Sequence, residues 1–289
     1  MALDVNHLGA YLRARRGLVS PEQVGITTLG PRRVQGLRRE EVAMLAGISA
    51  DYYLRLEQGR DRHPSAQVLE ALATALQLDD ESTSYLLGLR AERPRRTRRV
   101  RREVVPQGTL SLVATLSMPA FVEGRYLDVL ASNRLAVALS PRLEVGGNRL
   151  RDVFLDEQEQ AMFPQHDRAA AGLVAGFRAS VGSDTDDPRV IELVGELSLA
   201  SPLFRRLWAR HDVGPRQGGV VPFMHPQVGE LRLIREKLLI GGTDRMMLVI
   251  YHADVGSAAA EKLALLASMS AEASGGRTPH EDGVARARP

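Results

Sequence analysis

Seven arginines fall within ten residues, Arg93-Pro-Arg-Arg-Thr-Arg-Arg-Val-Arg-Arg102. Like charges at that density repel one another and resist burial, so no single hydrophobic core can run through them. The chain must therefore fold as separate units on either side of an exposed connector. Its 289 residues suit two domains better than one. The charge divides at the same place. Residues 1–102 hold 18 Arg against 12 Asp+Glu, a net of +6, whereas residues 103–289 hold 20 basic against 23 acidic, a net of −3. A basic front and an acidic back direct the front toward a polyanion.

Composition narrows the chemistry. The absence of cysteine removes disulfide frameworks, thiol nucleophiles, thiolate metal sites and thiol redox switches. No apolar run approaches the roughly 20 residues of a transmembrane helix. The start, MALDVNHLGAYLRARR, lacks the apolar stretch of a signal peptide, so a cytoplasmic location without membrane contact is expected. The seven histidines show no HxxxH-like metal spacing. GxSxG, P-loop and strand-borne GxGxxG patterns are absent. The expectation is no enzyme: no catalytic residue, no metal and no cofactor.

The front reads as five short helices. Leu8 and Leu12 mark the first, with Gly17 at its end. A loop rich in proline and glycine follows over 18–37, with room for one short turn. Val42, Leu45 and Ala46 share one helical face, Gly47 ends that run, and Ser49 caps a helix that stops at Gly59. Ser65 caps the next, carrying Val68, Leu69, Leu72 and Leu76. Asp79 or Asp80 caps the last, carrying Leu86 and Leu89. Behind the connector, two short strands flank Gly124 within 119–131. Helices are expected near 133–139, 166–181, 188–200 and 202–210, then strands over 218–224, 230–239 and 245–252 and a helix over 257–269. This makes a front domain of 1–92, a linker of 93–106, a rear domain of 107–269 and a disordered tail of 270–289.

The most specific segment is Arg38 to Gly59, two helices meeting at Gly47. A sharp turn favours a residue without Cβ, and the apolar Ile48 can plug the angle between the helices. On the second helix Tyr53 and Leu56 share an inward face. Asp51 and Arg55 share another, with Ala50 and Tyr52 beside its N-terminus. Polar groups offered there suit a major groove.

Those residues carry a resemblance. Residues 6–90 resemble the λ-repressor-like (Xre) helix-turn-helix family. The runs Gly36-Leu-Arg-Arg-Glu-Glu-Val-Ala-Met-Leu-Ala-Gly-Ile-Ser49, Tyr52-Tyr-Leu-Arg-Leu-Glu-Gln-Gly-Arg60 and Pro64-Ser-Ala-Gln-Val-Leu69 resemble its MmyB-like branch. The resemblance implies that Ala50, Asp51, Tyr52 and Arg55 face base edges of a double-stranded operator. Of these, Arg55 suits guanine and Asp51 suits the amino group of cytosine. Arg39 stands where the family usually has a glutamine that clamps a phosphate. Ser49, Arg60 and Arg62 are further phosphate contacts. Arg32 and Arg33 in the inserted loop, with Arg95, Arg96, Arg98 and Arg99 of the connector, add to them. Glu57 and Arg13 match a pair that ties the recognition helix to the first helix. The loop over 18–36 departs from the compact family pattern and is a feature of this branch.

The rear half resembles the MmyB-like ligand-binding domain, which is PAS-like, over roughly 107–269. The similarity rests on Pro119-Ala-Phe-Val-Glu-Gly-Arg125, Val129-Leu-Ala-Ser-Asn133, Glu196-Leu-Ser198, Ser201-Pro-Leu-Phe-Arg-Arg-Leu-Trp-Ala-Arg-His-Asp-Val213 and His225-Pro-Gln-Val-Gly-Glu-Leu231. Ser132 replaces a tryptophan common in the family, which implies a larger or more polar pocket. The expected fold is multidomain: an all-α helix-turn-helix domain and an α+β PAS-like domain. The resemblance implies a small apolar ligand such as a fatty acid. Candidate liners are Phe121, Leu130, Asn133, Phe177, Trp208, Phe223, His225 and Met247, although buried aromatics are more often plain core. A histidine beside apolar residues, such as His211 or His225, is usually a hydrogen-bonded structural group.

The expected function is a ligand-sensing, homodimeric transcription regulator. Two competitors stand beside it: an antitoxin-type DNA-binding module with a protein partner on its rear domain, and an enzyme carrying a DNA-binding domain.

Overall fold

The computed structural model describes residues 6–27, 32, 34–61, 63–90, 103–182, 184, 187–214 and 218–275. The arginine run, Arg33 and Arg62 lie outside the described residues.

The front is five helices: α1 (His7–Leu18), α2 (Arg39–Leu45), α3 (Ala50–Gln58), α4 (Ala66–Ala75) and α5 (Asp80–Arg90). Polar side chains start them. Asn6 accepts from the Gly9 amide at 2.9 Å, Ser49 from Tyr52 at 3.1 Å, Ser65 from Val68 at 3.2 Å and Asp79 from Ser82 at 2.8 Å. Helix α1 runs past Gly17, where the sequence reading stops it. One helical glycine costs only about 1 kcal/mol, and the buried Leu8, Tyr11 and Leu12 hold the helix against the core. Helices α2 and α3 meet at Gly47, whose φ of +66° lies in the left-handed region. At Gly9, an added Cβ would stand 2.3 Å from the Glu57 carbonyl oxygen, so α1 crosses α3 at a separation only glycine allows. The inserted loop holds a 3₁₀ turn, Pro21–Val24.

The rear domain begins with α6 (Gln107–Thr115), β1 (Ala120–Glu123), β2 (Val129–Ser132) and α7 (Arg134–Leu139). There follow α8 (Arg149–Leu155), α9 (Glu157–Ala161), α10 (His166–Val181), α11 (Pro188–Ala200) and α12 (Pro202–Ala209). It ends with β3 (Gly219–His225), β4 (Gly229–Leu239), β5 (Met247–His252) and α13 (Ala258–Gly275). The strands form one antiparallel sheet in the order β2-β1-β5-β4-β3. Three short helices, α6, α8 and α9, are not expected from the residue pattern. Helix α13 continues to Gly275, six residues past Met269, because Ala271-Glu-Ala273 favours helix.

The strand alternation separates two apolar layers. Phe121, Leu231, Leu233, Phe223, Val249 and Tyr251 face a core shared with helices α7, α8 and α10 to α13. Ala120, Val122, Ala131 and Leu248 face the other way, onto Val113 of α6 and Val105. A β-bulge between Val122 and Glu123 lets Val129 join the first layer while Ala131 stays in the second.

Asn133 joins these layers. Its Oδ1 accepts from the amides of Ala120 at 3.1 Å and Ala136 at 2.9 Å, and its Nδ2 donates to the carbonyls of Leu116 at 3.2 Å and Met118 at 2.7 Å. Asn133→Ala removes a helix cap and strands buried backbone groups, so a loss of about 2 kcal/mol in urea denaturation is expected. Asn133→Asp keeps the cap acceptor but sets a carboxylate oxygen against the Leu116 and Met118 carbonyls, so it should lose at least as much at neutral pH.

Candidate DNA-binding face and ligand cavity

The helical period divides α3 into two faces. Tyr53, Leu56 and Glu57 are buried, while Ala50, Asp51 and Arg55 are exposed and Tyr52 is half-buried. Arg55 forms an ion pair with Asp51 one turn earlier, and its guanidinium carbon stands 5.6 Å from the centre of the Tyr52 ring. Arg60 is exposed just beyond the helix. Ser49 is occupied as the N-cap.

Behind that face, Glu57 is 1% exposed. Its carboxylate accepts from Arg16 Nε and Arg39 Nε, each at 2.7 Å, and Arg13 stands at 4.0 Å. Burial pushes its pKa up, but the hydrogen bonds from Arg16 and Arg39 outweigh this and hold it below the ordinary carboxylate range. The expected Arg13 partner is thus the outermost of three cations; Arg13 also donates to the Glu57 carbonyl at 3.3 Å. Among the described residues only the Nε of Arg39 is engaged, and its side chain is 43% exposed. Arg32 behaves differently. It donates to both oxygens of Glu41, at 2.9 and 2.8 Å, and to the Gly36 carbonyl at 3.2 Å, pinning the inserted loop to α2.

The rear domain reaches the front one through the end of α12 and the segment after it. Arg15 donates to Asp212 at 2.8 Å, the Tyr11 and His211 rings meet edge-on at 6.2 Å, and Val213 is buried in the front domain's core. His211 touches Arg178 of α10 at 3.3 Å. Arg178 is 2% exposed, stacks over Trp208 at 3.8 Å from the ring centre and donates to its carbonyl at 2.6 Å. Burial and the neighbouring Arg178 push the His211 pKa down to about 4, so the ring is neutral near pH 7.

One stripe of α10 lines a cavity of about 750 Å³ against β3, β4 and β5. Ala169, Gly172, Leu173 and Gly176 recur at helical spacing along it. A Cβ at Gly172 would meet open space, so the missing side chain contributes room. Leu127, Val153, Phe163, Val220, Val221 and Tyr251 supply apolar wall, and Arg149, Arg168, Arg232, Arg235 and Lys237 supply cations. Two of those cations are answered by buried carboxylates: Arg149 donates to Glu159 at 2.7 Å and Lys237 to Glu123 at 2.6 Å.

The expected liners lie elsewhere. Phe121, Phe177, Phe223 and Met247 are buried in the main rear core. Trp208 packs between Arg178 and Phe204, and Asn133 bonds backbone as described. The His225 ring contacts the Ala138 carbonyl at 3.1 Å and accepts from the Gln227 amide at 3.2 Å. Leu130 borders a shallower depression of about 820 Å³ beside Val104, Val105 and Val145. Large apolar residues fill the core, whereas the cavity exists where side chains are small or charged. A hydrophobicity pattern could not have found it. The glycine spacing Gly172-x-x-x-Gly176 was the one available sign.

Among the described residues no cluster of His, Asp and Glu is arranged to hold a metal ion, and no helix is long and apolar enough to cross a membrane. No curated protein matches the chain in sequence. Residues 7–86 match a helix-turn-helix domain family. Residues 105–266, more than half of the chain, match the MmyB-like transcription regulator ligand binding domain. The front helices and the five-stranded rear sheet fit that division. The chain belongs to the MmyB-like transcription regulator family, with the architecture of a ligand-responsive, DNA-binding regulator.

Proposed function

We propose that α3 enters the major groove of a double-stranded operator with Ala50, Asp51, Tyr52 and Arg55 toward the bases. The observation that carries this reading is the division of α3. Its exposed side offers a guanidinium and a carboxylate beside a capped N-terminus, while Glu57 clamps its opposite side to two neighbouring helices. Phosphate contacts come from Arg39, whose terminal nitrogens remain available, from Arg60 and from the amide end of α3. Arg33, Arg62, Arg95, Arg96, Arg98 and Arg99 are assigned to the same role from sequence alone. Arg32, held by Glu41, contributes by ordering the loop.

The rear cavity is the ligand site in this reading, and the protein works as a homodimer whose half-site spacing responds to occupancy. Helix α10 supports the link, because it lines the cavity with Gly172 and Gly176 and touches the front domain's partners with Arg178. An apolar body such as an acyl chain suits the cavity's wall.

Fluorescence anisotropy on genomic fragments selected by the protein tests the DNA reading. Six or more phosphate contacts predict a loss of about a thousandfold in affinity between 50 and 200 mM salt. Binding indifferent to salt, or none to any fragment, would falsify it. Retention of a second polypeptide in place of DNA would favour the antitoxin-type alternative.

A further inference from the structure

Among the described residues five cations border the α10 cavity, and two of them have an opposing carboxylate. Arg149 and Lys237 are neutralised by Glu159 and Glu123. Among the described residues Arg168, Arg232 and Arg235 have no ion-pair partner and no Asp or Glu lines the cavity; Arg168 and Arg232 are exposed and Arg235 is half-buried. The Nε of Arg235 is buried without a hydrogen-bond partner. A buried donor left unmade costs free energy unless something completes it. Strand alternation turns Arg232 to the exposed face of β4, away from Arg235, so the unanswered charge beside the cavity is about two positive, on side chains whose planar forks suit oxyanions.

A monocarboxylate leaves about half of that charge unanswered. A phosphate monoester, carrying about 1.5 to 2 negative charges near pH 7 and three acceptor oxygens, answers more of it and can accept from several guanidiniums at once. The lining also includes apolar side chains: Leu127, Val153, Phe163, Leu173 and Val221. The volume of about 750 Å³ is that of a small-molecule site.

We propose that this cavity receives an amphiphile with a phosphate-type headgroup on Arg168 and Arg235 and an apolar body against Leu127, Val153, Phe163 and Val221. The proposal rests on reading the cavity as the ligand site and specifies the chemistry that site selects.

Isothermal titration of the full chain with octyl phosphate, octanoate and octanol tests it, since the three share one tail. Octyl phosphate is expected to bind at least tenfold more tightly than octanoate, with octanol weakest. Arg235→Gln should remove most of that advantage and leave octanol unchanged. Equal affinities, a preference for octanoate or octanol, or no binding of octyl phosphate overturns the headgroup assignment without recourse to any variant. Gly172→Trp, which fills the cavity, separates the two readings. Loss of the octyl phosphate signal in that variant, with its melting transition retained, supports the site. Undiminished binding overturns both the cavity reading and the proposal. If the Arg168 and Arg235 glutamine variants weaken DNA binding but not octyl phosphate binding, these arginines serve DNA, and the proposal fails.

Discussion

Replacing Glu57 with alanine is expected to destabilise the front domain by about 3 to 4 kcal/mol in chemical denaturation of the full chain. Removing one member of a buried ion pair costs about 3 to 5 kcal/mol, because the partner charges stay desolvated. The estimate lies toward the lower end, since Arg39 and Arg13 are partly exposed and can regain water, whereas Arg16 is only 13% exposed. Glu57→Gln keeps an acceptor for one arginine and should lose less. The pH dependence follows from the direction of the shift. The folded-state pKa of Glu57 is depressed, so its contribution is fully present above the unfolded value and is lost as the pH falls through the folded one. Acid destabilisation of the front domain should therefore be shallower in Glu57→Ala than in the parent chain. An unchanged acid limb would show that the network contributes nothing.

Arg55→Ala is expected to weaken operator binding by about 30- to 100-fold, corresponding to about 2 to 3 kcal/mol for a lost bidentate base contact. It should also relax sequence preference at one position. Releasing Arg55 from Asp51 costs little, because an exposed pair one helical turn apart contributes only about 0.3–0.5 kcal/mol. Asp51→Ala should raise affinity for DNA of any sequence, since it removes a negative charge near phosphate, while weakening discrimination. Arg60→Ala, by contrast, should lower affinity evenly across sequences and reduce the salt slope by about one contact. Anisotropy with the selected operator and a scrambled duplex distinguishes these outcomes. An Arg55→Ala protein that weakens equally on both duplexes would show a phosphate contact there instead.

Much of the architecture was legible before any coordinates. The turn at Gly47, the caps at Ser49 and Ser65 and the alternation in β4 and β5 are short-range signals. Each depends on residues within one or two turns or on a period of two. Helices α8 and α9, of seven and five residues, were not legible. They are held by long-range partners: Arg149 of α8 and Ser140 both meet Glu159 of α9. The roles of single polar residues were less accessible still. Asn133 has the same sequence signature whether it faces a ligand or backbone. Only the approach of Leu116, Met118 and Ala120 makes it a junction.

The arginine run and the helix-turn-helix spacing by themselves determined a basic DNA-binding front and a separate rear domain, because charge density and helical period act locally along the chain. Tertiary structure decided which arginines are already engaged. Arg32 answers Glu41, Arg16 and Arg39 answer Glu57, and Arg149 answers Glu159. It also decided where the cavity lies, by setting the glycines of α10 against Arg235 and Lys237 of β4, some sixty residues away in sequence. A charge's worth depends on what folding brings within a few ångströms of it, and that proximity is not written in the local order of residues.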